Sequence, residues 1–293
     1  MRPSIHYDRA FSEYRQMAGL NWSILKHPTA LAQRYHATQP DDEHDPLYSA
    51  LHCALLEPER FAVAYQLADG RRTAARKAEA EAAGVTLLTE RDMDTISLVR
   101  AAVQAHPEAA EWLKDPPGDD GDGSNEVSIQ WAEPHGGRMW AFKARLDRLI
   151  MERVAHPTDP EDVVWNAYVI DLKAVPRVSP RHVAVEIARK GYHGQLAHYA
   201  AGVRALWPAA RVRCLIIAYE SRPPYDVGVF SLPEDGAQWA GERMRADAIA
   251  RYVQAHTSGV WPGACPQTVE VELPRWAPGL DSEDAGADYE EEV

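Results

Sequence analysis

Cysteine is scarce in this chain. There are three in 293 residues, Cys53, Cys214 and Cys265, far apart and odd in number. With no Cys-x-x-Cys among them, a disulfide framework is excluded, and a zinc or iron–sulfur centre built by this chain alone is disfavoured. Cys53 and Cys214 sit in apolar runs, where a thiol acts as a small buried hydrophobe. No apolar run is long enough to span a bilayer. The opening Met-Arg-Pro-Ser-Ile-His-Tyr-Asp lacks the apolar stretch of a secretory signal. The expectation is a cytoplasmic protein with no membrane partner. Internal repeats are missing too. Positive charge is in deficit, with 31 Lys and Arg against 44 Asp and Glu, a net −13. That balance argues against indiscriminate coating of a polyanion. The deficit is uneven, however. Asp281 to Val293 hold seven acids and no base, and removing those seven charges leaves −6. An acidic body is compatible with a site that gathers a divalent cation and grips a few phosphates.

What is present reads as an ordinary globular chain, 45% hydrophobic and 26% charged. Its length suffices for one large domain or two small ones with a substantial core. Residues 1–20 are mixed and read as an arm. Asn21 or Ser23 caps a helix, and Pro28 marks a break or a second start. A polar loop over 36–46 precedes a helix over 47–57, with Leu51 and Leu55 facing inward. Residues 71–83 read as an exposed helix. Residues 89–105 form another, with Met93, Ile96, Leu98, Val99 and Val103 as its apolar set. A further short helix begins at His106-Pro107, and 115–124 is a loop.

The pattern then changes period. Glu126–Trp131 alternates, Arg138–Ile150 alternates again, and His135-Gly136-Gly137 lies between, which is a hairpin signature. A Pro-containing, acidic loop is expected over 154–163, then a strand over Tyr168–Lys173. Ser179-Pro180 opens a long helix over 180–207. Strands over Val212–Glu220 and Tyr225–Leu232 and a helix over 234–256 follow. The tail 281–293 is expected to be disordered. The order of elements predicts an α/β fold: a central mixed β-sheet flanked by helices. We read residues 1–275 as one domain, with a helical part about 20–114 and an α/β core about 125–256.

Two apolar runs end in acids. One ends in Arg145-Leu146-Asp147, the other in Asp171-Leu172-Lys173. Residues two apart on a strand share a face, so Asp171 and Lys173 project together. Pairing of the two strands would bring Asp147 to the same place. Two carboxylates, a lysine and the intervening Leu172 carbonyl fit metal-assisted attack on a phosphodiester: oxygen ligands hold a divalent cation, and an ammonium offsets developing charge. Spacing alone is weak support, because Asp-x-Lys recurs as a surface ion pair at strand ends. An exposed lysine of that kind would contribute little to folding.

The flanking residues add weight. They are Leu47-Tyr-Ser-Ala-Leu-His-Cys-Ala-Leu-Leu-Glu-Pro58 with Phe61, Arg71-Arg-Thr73, His106-Pro107, Asn125-Glu-Val-Ser128 with Trp131, Lys143-Ala-Arg-Leu-Asp147, Asp171-Leu-Lys173, and Gly191-Tyr-His-Gly-Gln195 with Tyr199. In this order the chain, from about Leu20 to about Leu232, resembles the PD-(D/E)xK nuclease superfamily. Within it, the chain resembles the exodeoxyribonuclease VIII (RecE-type) C-terminal nuclease domain. The resemblance implies a restriction-endonuclease-like fold. It implies a metal site of His52, Asp147, Asp171 and the Leu172 carbonyl for Mg²⁺ or Mn²⁺. It also implies Lys173 beside the attacking water, and Gln195 and Tyr199 on one helix face near the site.

Tyr48 stands where the family has Gly, and the spacing from Asp147 to Asp171 exceeds that of a tight hairpin. Glu126 reads equally as a metal, water or DNA contact or as a strand-edge charge. Arg145 reads as a phosphate contact or an ion-pair partner, and Arg71 and Arg72 as a 5′-phosphate contact or an exposed helix start. His193 and His198 read as solvent-facing, Glu186 as an exposed acid. The implied activity is a magnesium-dependent exonuclease acting on linear double-stranded DNA ends, 5′-to-3′, in phage or prophage recombination. A single-strand annealing protein is the implied partner and a homo-oligomer the implied assembly. An endonuclease or adaptation-type nuclease on the same fold, or a noncatalytic DNA-end-binding protein, are the alternatives.

Overall fold

A computed structural model of the chain describes residues 1–7, 9–39, 45–70, 73–114, 121–156, 159–274 and 277. The chain opens with β1 (Ser4–His6), α1 (Phe11–Gln16), α2 (Trp22–Leu25) and α3 (Ala30–Thr38). Helices α4 (Pro46–Leu56) and α5 (Pro58–Ala64) follow. Next come β2 (Tyr65–Leu67), α6 (Ala74–Ala82), β3 (Thr86–Leu88), α7 (Glu90–Ala105) and α8 (Pro107–Leu113). Three long strands then run as β4 (Gly121–His135), β5 (Arg138–His156) and β6 (Asp159–Val175). The chain ends with α9 (Pro180–Lys190), α10 (Tyr192–Leu206), β7 (Arg211–Glu220), β8 (Val227–Leu232), a π-turn over Glu234–Gln238 and α11 (Trp239–Ser258).

The main sheet has six strands in the order β1-β4-β5-β6-β7-β8, and β2 and β3 form a separate parallel pair. Only β6 and β7 run parallel in the main sheet; the other neighbours are antiparallel. The architecture is therefore mixed α/β with a mostly antiparallel central sheet flanked by helices. Each face has its own core. Trp22, Leu25, Leu196, Val203 and Ile249 from α2, α10 and α11 cover one face, against Val127, Ile129, Phe142 and Leu146. Leu51, Ile96 and Val99 from α4 and α7 cover the other, against Ile170, Leu172, Leu215 and Ile217. Strand β7 sends alternate residues into both cores, which is why it reads as one continuous apolar run.

Local signals hold where caps are strong. Asp45 accepts from Leu47 N and Pro46 occupies the first turn of α4. Thr89 and Asp92 form a capping box at α7, although Leu98, expected inside, is 49% exposed. Other expectations need correction. Residues 1–20 are not an arm. Strand β1 pairs with β4, and the buried Lys143 ammonium donates to the carbonyls of Tyr14, Arg15 and Met17 at the end of α1. Residues 154–156 and 159–163, expected as loop, are strand. The β5–β6 ladder continues to Ala155↔Val163, beyond which its register shifts. Residues 121–124, expected as loop, begin β4. The expected long helix over 180–207 is two helices, broken at Gly191, whose φ of 68° suits a residue without Cβ. Glu186 is half-buried and paired with Arg189. Arg71, Arg72 and the 281–293 tail lie outside the described residues.

His198 is buried, not solvent-facing. Its Nε2 donates to the Lys143 carbonyl at 3.1 Å, and its Nδ1 accepts from Arg245 Nε at 3.3 Å. Burial and the Arg245 charge push its pKa down to about 3. Between pH 6.5 and that value the unfolded chain holds a proton that the folded chain does not, so stability falls with acidification. The fall is up to about 1.4 kcal/mol per pH unit from this group. We predict that denaturant unfolding of wild type weakens more steeply from pH 6.5 to 4 than that of His198→Gln. Parallel pH profiles would refute this.

Candidate functional site

The site forms where β5 and β6 separate. Their paired residues extend only as far as Arg148↔Ile170, while β6 continues against β7 through Asp171↔Ile216 and Lys173↔Ala218. At the split, the inward set of β5 changes parity. Phe142, Ala144 and Leu146 precede Asp147 in one core, and Leu149 and Met151 follow it in the same core. The freed backbone N–H of Leu172 donates to Asp147 Oδ2 at 2.7 Å. A residue on an extended strand sends its N–H and C=O toward the same neighbour, so the Leu172 carbonyl also faces this gap. On the next strand over, Glu126 lies between the pairs Asn125↔Arg148 and Val127↔Leu146 with φ of 54°. A left-handed glutamate inside a strand is uncommon, and such positions cluster at functional sites.

His52 reaches this gap from α4, whose neighbouring Leu51, Cys53 and Ala54 are packed in the second core. Asn125 fastens the end of that helix by donating to the Leu56 carbonyl at 2.6 Å. The imidazole is held between two carboxylates, Nε2 at 2.8 Å from Asp147 Oδ2 and Nδ1 at 3.1 Å from Glu126 Oε1. Burial alone would lower its pKa. The charges and hydrogen bonds of Asp147 and Glu126 outweigh burial and raise it to about 10, so His52 is an imidazolium here. Burial acts on Asp147 in the opposite sense to its cations, and His52, Lys173 and the Leu172 N–H prevail, holding it down to about 2.

Asp171 differs. It has no exposed surface, and burial pushes it up to about 7 despite Lys173. Lys173 Nζ lies 2.6 Å from Asp171 Oδ2, and this ion pair is what faces an otherwise unpartnered buried oxygen. Its other oxygen accepts weakly from Gln195 Nε2 at 3.4 Å, and the same amide donates to Tyr199 Oη at 2.6 Å. Lys173 itself is not the exposed lysine that the sequence suggested: its side chain is 16% exposed. Its ammonium stands 4.7 Å from the centroid of the Tyr192 ring.

The structure thus brings together His52, Glu126, Asp147, Asp171, Leu172, Lys173, Gln195 and Tyr199. Arg145 joins through Glu126 Oε2 and the Arg9 carbonyl, so of its two sequence readings the ion pair is the one seen. Arg71 and Arg72 cannot be placed. Tyr192 was overlooked. Its spacing of three from Gln195 and seven from Tyr199, one helical stripe, is the signal that would have found it. Among the described residues no group of three His, Cys, Asp or Glu side chains forms a ready-made metal cage. The carboxylates are instead engaged by the His52 and Lys173 cations.

No family model matches the chain, and no curated protein matches it. Among solved structures, one from Eubacterium rectale, provisionally assigned as an exonuclease, superposes with a TM-score of 0.52 at 11% identity. The match covers 90% of this chain and 94% of that one. A second, SSO0001, covers 83% of this chain and 87% of its own at 14% identity, with a TM-score of 0.29. The first match establishes a shared fold. No helix among the described residues is long and apolar enough to cross a membrane.

Proposed function

We propose that this chain is a Mg²⁺- or Mn²⁺-dependent exonuclease of the PD-(D/E)xK superfamily, RecE-type, degrading linear double-stranded DNA from its ends. One observation carries the reading. An imidazole from α4, a carboxylate from β5, and a carboxylate and ammonium from β6 meet at the one point where β5 and β6 part. The similar solved structure from Eubacterium rectale supports a nuclease reading in general. Polarity 5′-to-3′, action in phage or prophage recombination beside a single-strand annealing protein, and a homo-oligomeric assembly belong to the same reading.

The residues suit a divalent cation by donor chemistry. Asp171 Oδ2 is buried and lacks a hydrogen bond, and an imidazole nitrogen, two carboxylates and the Leu172 carbonyl are N and O donors of the kind such ions take. His52 would join them in its neutral form, since a metal-bound imidazole gives up that proton. A bound cation would lower the pKa of a coordinated water and screen phosphate charge. The chain's own groups do the rest. Lys173 places a positive charge where charge develops on the phosphate oxygens. Gln195 and Tyr199 fix the orientation of Asp171. Glu126, carried by Arg145, fixes that of His52.

The test is incubation with linear and circular duplex DNA in Mg²⁺ or EDTA. We expect degradation of linear DNA only, abolished by EDTA. Nicking of circles would point to an endonuclease, and binding without cleavage to a noncatalytic end-binding protein; either result refutes the proposal.

A further inference from the structure

Tyr192 opens α10 immediately after the left-handed Gly191, so the elbow between α9 and α10 sets where its ring lies. The ring packs half-buried against the first core and turns toward Lys173, whose ammonium lies 4.7 Å from its centroid. The same ammonium is 2.6 Å from Asp171 Oδ2. Tyr192, Gln195 and Tyr199 follow one another at three and four residues along α10, so one stripe of this helix addresses both members of the Asp171–Lys173 pair.

We propose that Tyr192 is a positioning residue for Lys173, acting through its ring face and not through its hydroxyl. This rests on the nuclease reading of the site. A lysine has a flexible four-carbon stem, and the ion pair with Asp171 holds its ammonium from one side. The negative face of an aromatic ring attracts an ammonium from a second direction without taking a proton or supplying a competing charge. The ammonium is then held between carboxylate and ring, at the place where phosphate charge would develop. A ring also tolerates the approach of a phosphate, which a second carboxylate would repel.

The experiment compares Tyr192→Phe, which keeps the ring face, with Tyr192→Leu and Tyr192→Met, which remove it. On linear duplex DNA with Mg²⁺ we expect Tyr192→Phe to stay within about twofold of wild type. The Leu and Met variants should lose about 10- to 30-fold in kcat with KM within about twofold, matching a desolvated cation–π contact. A Phe variant as slow as the Leu variant would assign the role to the hydroxyl, and a Leu variant as fast as wild type would remove the role; either overturns the proposal. A second readout does not need cleavage. Tyr192→Leu should lower the unfolding midpoint in wild type and lower it less in Lys173→Met, because the contact is already gone there. Equal shifts in both backgrounds would also overturn it. If wild type cleaves no DNA, the nuclease reading fails, while this cycle still reports on the contact.

Discussion

Lys173→Met is expected to abolish cleavage and to unfold more easily than wild type. The activity loss follows from position. The ammonium is ion-paired with Asp171, where the proposed reaction develops phosphate charge, and removing one group that stabilises transition-state charge lowers rates by about 10²- to 10³-fold. The stability loss follows from burial. Asp171 has no exposed surface and Lys173 is its ion-pair partner. Removing one member of a buried pair leaves an uncompensated charge, typically about 3–5 kcal/mol. Measured together, single-turnover degradation of linear duplex and chemical unfolding separate the two effects. Full activity would take Lys173 out of the mechanism. An unchanged unfolding midpoint would show that the carboxylate is stabilised by other groups.

That second effect was not legible in the sequence, and the reason is general to the site. Period-two alternation put Asp171 and Lys173 on one face, and the acid ending the neighbouring run marked Asp147. Those facts depend only on strand geometry. Burial of Lys173 depends on Tyr192 and on α10, which lie far along the chain, so the pair read as a surface contact. The split between β5 and β6 was hidden for a similar reason. Nothing in Arg145–Arg148 signals that pairing stops there, because the left-handed Glu126 that accompanies it is an ordinary residue type. The β5–β6 ribbon was misread as loop because prolines and acids usually punctuate, whereas here the ladder runs on through Val154↔Val164 and Ala155↔Val163. Gly191 was missed because one glycine inside a helical pattern is tolerated; only its φ of 68° shows the elbow. Strand β1 has three residues, too few to show a period. It is held by pairing with β4, and the segment after it by Lys143 and Arg145, all contacts across more than a hundred residues.

Adding Asp171→Asn to Lys173→Met is expected to recover most of the lost stability while leaving the protein inactive. The carboxylate of Asp171 is fully buried, raised to about 7 by that burial, and carries an oxygen without a hydrogen bond. As an acid lifted above its unfolded value of 3.8, it opposes folding increasingly as pH rises through the interval from 3.8 to about 7. A neutral amide of nearly the same shape removes that opposition, and removing both members of a buried ion pair is far milder than removing one. The comparison is made at pH 8 in EDTA, by denaturant unfolding of the single and double variants, so that no divalent cation offsets the carboxylate. A double variant no more stable than Lys173→Met would mean that Gln195 and the surrounding backbone already accommodate the charge. The expected recovery would instead identify Asp171 as a residue that opposes folding and is kept for its chemistry. Sites that hold charge ready for a substrate trade stability for activity in this way. On the proposed reading, this trade explains why a dry carboxylate opposed by the Lys173 ammonium is kept at the split between the strands.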